Sequence, residues 1–256
     1  MRLPRLITML LASGITLLIA AILVSTLPAN ATEYPSAPIG EGWHYTSRAT
    51  PVSTGRVIPL YVDRDFDERE RHSLVSALRQ WNYVLNGFVQ FRAQTLPDDP
   101  SPAMLSQIRR AGGWVVARVD SRHPIGHTAE GRQALAVTSG GRGGFVYVIA
   151  DRIGNRDLTG VIMHEFGHVL GAGHGGYGLM APVYNTAMGR CIDHDAVALV
   201  AQAQRLPLNQ LNWCVGPGGD RMPMARGSYG GYRPPMATRQ PLESESAHSH
   251  ETITSP

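Results

Sequence analysis

Apolar residues change their period several times along the chain. Leu74, Leu78, Trp81 and Leu85 recur at i, i+4, i+7 and i+11, the spacing of one helical face. Asp67 followed by Glu70 has the form of a capping box, so the pattern predicts an amphipathic helix over 67–86, closed by Gly87. Trp81 lies on its apolar face and is expected in the core. Around this helix run shorter segments of strand character. Residues 57–62 are β-rich with Pro59 inside, which fits a strand near a sheet edge or at a bulge, and 88–93 alternate as a half-buried strand does. Residues 97–102 read as a loop; 114–119 and 145–150 read as two further strands, with a weaker candidate at 134–138. A second long helix is expected over 158–170, with Asp157 as N-cap and Ile162, Phe166 and Val169 on one face. Asp193 can cap a third through about residue 205, burying Ala196, Val197 and Val200 and ending before Pro207.

Both ends break this pattern, so the 256 residues are expected to hold one domain, over 56–215. Arg2 and Arg5 precede an uncharged apolar run from residue 6 to 27 and then Ala29-Asn30-Ala31, which has the small-x-small form of a cleavage site. Residues 1–31 therefore read as an export signal, or as a membrane anchor if the run, long enough to span a bilayer, is kept. Residues 32–55, rich in Pro, Ser, Thr and Gly, read as a linker or short pro-segment, and 216–256 as a disordered tail.

Charge narrows the partners. The formal net charge is +3, and loss of Arg2 and Arg5 with a signal would leave +1. The arginines are scattered without a basic run, so nucleic acid is not expected. The two cysteines, Cys191 and Cys214, would meet oxidising conditions after export, as a disulfide or as two unpaired thiols.

Chemistry is concentrated in 164–174, His-Glu-Phe-Gly-His-Val-Leu-Gly-Ala-Gly-His. His164 and His168 are four apart on the second helix, so their rings leave the same face and can share an ion. Continued helix would carry His174 away along the axis; Gly171 permits a left-handed turn that brings it back. Three imidazoles leave a fourth position for water, the open arrangement of a catalytic zinc. Glu165 is about 100° round the helix from His164, placed to reach that water as general base without being a ligand. With the His and Glu content of this chain, His-Glu-x-x-His alone would arise by chance in about one chain in a hundred. Gly171 and His174 at fixed offsets take that below about one in ten thousand.

This stretch resembles the zinc signature of the metzincin clan of metallopeptidases, closest to the matrixin-like branch. Leu179-Met180-Ala181-Pro182 is similar to the methionine turn that lies beneath the zinc in that family, which makes Met180 its counterpart. The resemblance implies an α+β fold: a twisted, mixed five-stranded sheet with an active-site helix, a second long helix and a C-terminal helix, and 134–138 as the antiparallel edge strand that pairs with extended substrate. It implies one catalytic zinc on His164, His168 and His174, with Glu165 catalytic, in a secreted or extracytoplasmic endopeptidase that acts as a monomer on protein or peptide substrates. The chain departs from the family in a spacing of only five residues between His174 and Met180, in Ala181 where matrixins usually place Tyr, and in having no cysteine before the domain for thiolate latency. His123, His127, Asp120 and Asp151 match no structural-metal pattern, so no calcium or second zinc is predicted. Tyr177 and Tyr184 are candidates for an oxyanion partner near the metal or for packing. His248 and His250 offer at most a weak surface metal site. The competing function is a non-catalytic exported zinc-binding interaction protein.

Overall fold

Asp67 starts the first long helix by accepting the Glu70 amide on its side chain at 2.7 Å, while the Glu70 carboxylate accepts the Asp67 amide at 2.9 Å. The expected capping box is thus formed, and α1 (Glu68–Val84) ends where Asn86 and Gly87 take positive φ. In this computed structural model the described residues are 42–47, 50–53, 55–127, 133–154, 158–175, 178–183 and 191–216, together with the backbone of 250–254. The expected signal or anchor with Ala31, and Asp157, Tyr177, Tyr184 and His248, lie outside the described residues. Among the described residues no helix is long and apolar enough to cross a membrane.

The strands follow as β1 (His44–Tyr45), β2 (Arg56–Val62), β3 (Val89–Thr95), β4 (Trp114–Arg118), β5 (Ala134–Gly140), β6 (Gly144–Val148), β7 (Cys214–Val215) and β8 (His250–Thr254). Six of them form a mixed sheet in the order β3-β2-β4-β6-β5-β8, parallel except for the antiparallel pairs β5–β6 and β5–β8, so the strand expected at the sheet edge, β5, has a neighbour on both sides. Pro59 sits where its missing N–H costs nothing. The Arg56 amide bonds Phe88 beside β3 and the Asp63 amide bonds Val116 beside β4, so by alternation residue 59 faces the β4 side, where pairing begins only at Leu60.

Helices α1 and α3 (Leu158–Val169) cover one face of the sheet. Trp81 is buried there and its Nε1 donates to the Met163 carbonyl at 2.8 Å, while the rings of Phe91 and Phe166 lie 5.1 Å apart. The opposite face is covered by a helix absent from the expected set, α2 (Pro102–Arg110). Its signals were local: Ser101 caps the Met104 amide and Pro102 occupies the first turn, but only Ile108 is fully buried, so no apolar period marks it. Ile108 packs with Leu96 and Val115, which explains why Trp114, Val115 and Val116 are all buried: β4 has a core on each side.

Residues outside the expected 56–215 span also pack against it. Tyr45, inside the stretch read as a linker, is buried, and its hydroxyl donates to Gln80 and accepts from the Ile192 amide; β1 pairs antiparallel with β7. Cys191 and Cys214 form a disulfide, with Cα atoms 6.0 Å apart, tying β7 to the start of α4 (His194–Gln204). At the far end of the chain, β8 lies within the stretch read as a disordered tail and pairs antiparallel with the outer edge of β5.

Candidate metal centre

Every residue of α3 except Thr159 is buried, including three polar ones. His164 and His168 project from one face of this helix with ring centroids 4.6 Å apart and their Nε2 atoms 2.9 Å apart. Each ring is fixed from behind: His164 Nδ1 lies 2.6 Å from the Leu179 carbonyl and His168 Nδ1 2.8 Å from the Ala172 carbonyl. A carbonyl oxygen can only accept, so both Nδ1 atoms carry a proton, and the two Nε2 atoms are turned toward a common point.

The return of His174 follows from how α3 ends. Gly171 has φ +84°, its amide bonds the His168 carbonyl, and the Ala172 amide bonds the Gly167 carbonyl. This is the paired bonding of a Schellman turn, which reverses the chain. The same turn delivers the Ala172 carbonyl to His168. His174, the most accessible of the three, ends with its ring centroid 5.3 Å from His164 and 4.8 Å from His168. One ligand atom from each histidine lies within 4.8 Å of the others, and no further group of three His, Cys, Asp or Glu converges among the described residues.

Beneath the cluster the short spacing from His174 to Met180 closes in one bond, from the Gly175 amide to the Met180 carbonyl at 2.9 Å. Met180 is buried against the backbone of α3, where a methyl group added at Gly167 would overlap its Sδ. Asp193, foreseen only as the cap of α4, does more. Its Oδ1 accepts the Ala196 amide at 2.9 Å and its Oδ2 the Leu179 amide at 2.6 Å, so it holds the residue whose carbonyl orients His164. Burial pushes the Asp193 carboxyl up from its ordinary range, against the pull of these two amides.

Glu165 is fully buried, and the Thr138 hydroxyl donates to its Oε2 at 2.5 Å. Thr138 stands on β5, so that strand touches the candidate base directly. Neither Thr138 nor the Leu179 and Ala172 carbonyls were foreseen; a threonine in a strand and two backbone oxygens leave no mark in the sequence. The other histidines and acids do local work: His123 Nδ1 accepts the Ile125 amide, Asp120 the Arg122 amide and Asp151 the Ser121 amide.

The donor set suits a cation. Burial first, then the neighbouring His168 and His174, hold His164 well below its ordinary pKa, so its ring stays neutral in the folded chain, although the Leu179 bond opposes this. Two ring nitrogens facing each other at 2.9 Å share a proton or a cation between them. Tetrahedral zinc, with Zn–N near ~2.05 Å, would set them about 3.3 Å apart, a small adjustment. Imidazole donors suit zinc, copper, iron or nickel. What fold and site together define is a mixed α+β protein with a three-histidine cluster able to bind a metal. Comparison with models of known protein families finds no match, and a search of curated proteins finds none either.

Proposed function

We propose that the chain is an exported, zinc-dependent endopeptidase of metzincin type, acting on extended protein or peptide substrates. The observation that carries this is the position of Glu165, buried next to His164 of the three-histidine cluster and hydrogen-bonded to Thr138 on β5. A zinc ion held by His164, His168 and His174 would supply Lewis acidity toward a carbonyl and lower the pKa of water to about 7.

The chain's own groups do the rest. The Leu179 and Ala172 carbonyls keep His164 and His168 in the tautomer that can ligate, as backing partners of ligating histidines generally do. Glu165 accepts a proton from the attacking water and returns it to the leaving amine, with Thr138 setting which way the carboxylate faces. The outer side of β5, where β8 lies, has backbone donors and acceptors that an extended peptide could pair with in its place, and a substrate lying across it would be cut at an internal bond. The Cys191–Cys214 disulfide agrees with an oxidising compartment. No second copy of the chain and no nucleic acid is required.

The test is a cleavage-site profile. The purified chain, loaded with zinc and given a complex peptide mixture, should cut internal bonds, lose activity to a chelator and recover it with zinc. Trimming from peptide ends alone, or no cleavage of any peptide at full zinc loading, would sink the proposal.

A further inference from the structure

The strand that would receive substrate is already covered by the chain itself. The Leu135 carbonyl accepts the Ile149 amide on the β6 side of β5. By alternation Ala136 and Thr138 present their backbone N–H and C=O groups to the outer edge. Such an edge is a template for any extended segment. β8 lies along it, antiparallel, with Ala136 opposite Ile253, Val137 opposite Thr252, Thr138 opposite Glu251 and Ser139 opposite His250. The register is interrupted once, between Ala134 and Ala136. Glu251 of β8 is therefore paired opposite Thr138, whose hydroxyl holds Glu165.

We infer that residues 250–254 act as an autoinhibitory strand, occupying in cis the edge on which peptide substrate must pair. This rests on the peptidase proposal above. The bonds a substrate backbone would make to Ala136 and Thr138 are those β8 makes, so the two cannot be present together. Because β8 belongs to the same chain, a free peptide must overcome its effective concentration to displace it. The device is reversible, since strand pairing involves no covalent step, and removal or displacement of the C-terminal segment switches it off.

The test compares the full, zinc-loaded chain with the full chain carrying Glu251→Pro and Ile253→Pro, the two positions opposite Thr138 and Ala136, since prolines cannot donate to a ladder. Two quantities are read: amide hydrogen exchange at Ala136 and Thr138, and kcat/KM on an extended peptide. The variant should lose protection at both amides and gain roughly tenfold or more in kcat/KM, and a synthetic peptide of residues 249–256 should inhibit it competitively. Equal exchange in the two chains would show that β8 does not cover the edge, overturning the inference. Faster exchange with unchanged kcat/KM would overturn its inhibitory role. If neither chain cleaves any peptide while exchange differs, the peptidase proposal fails and the inhibitory role falls with it, but the strand pairing stands.

Discussion

Helices α1 and α3 pack against each other beneath the same sheet, yet they are built on opposite terms. In α1 a capping box and an apolar stripe agree, and the polar groups it buries are bonded to the scaffold: Trp81 Nε1 to the Met163 carbonyl, Gln80 to the Tyr45 hydroxyl and Asn82 to the backbone of Phe91. α3 places two histidines and a glutamate in the interior. Burial of polar groups is costly unless they are bonded, and each of these three is held by a partner outside the helix: Leu179, Ala172 and Thr138. One helix is a stabilising element, and its neighbour is a mount for chemistry whose supports lie elsewhere in the chain.

If that contrast is sound, damage to α1 should show in stability and damage around α3 in metal affinity. Trp81→Ala should have the largest effect on folding, a loss of about 3–5 kcal/mol by urea denaturation, from the cavity and the lost Trp81 Nε1 hydrogen bond to the Met163 carbonyl. The molecules that remain folded should still bind zinc as the parent does; zinc loss in that fraction would break the contrast. Gly167→Ala adds a methyl where Met180 Sδ already sits, and overpacking of this kind costs about 1–3 kcal/mol. Because the turn that carries Met180 also carries the Leu179 carbonyl, zinc affinity should fall as well.

Asp193→Ala removes the cap of α4 and the support of Leu179 together. About 0.5–2 kcal/mol of stability should go, with zinc affinity down by roughly 10–100-fold in a chelator competition. Unchanged affinity would mean that Leu179 keeps its place unaided. The smallest effect belongs to Asp67→Ala in α1: about 1 kcal/mol of stability from the lost cap, with zinc affinity unaltered.

The same contrast explains what could be read from the sequence. α1 was legible to its caps because periodicity, capping and burial point one way. The five strands were found within a few residues of their ends, since β-rich runs bounded by turn residues carry their own signal. α2 was missed because it is short and buries one side chain, and β1 because two residues have no period. β8 was missed because composition around it is polar and its partner, β5, lies more than a hundred residues away. At the site, His164, Glu165, His168 and His174 were visible because metal ligation demands fixed side chains at fixed offsets. Their supports were not, because a backbone carbonyl can come from any residue, and because Thr138 and Asp193 reach the site through tertiary contacts alone.

The role of Glu165 is the central claim, and one substitution isolates it. Glu165→Gln is nearly isosteric and leaves the three histidines in place, so the variant should bind zinc as tightly as its parent while its kcat on a peptide cut by the parent falls by roughly 10²–10⁴. Full activity in the variant with zinc retained would contradict the account, because the proton would then be moved by some other group.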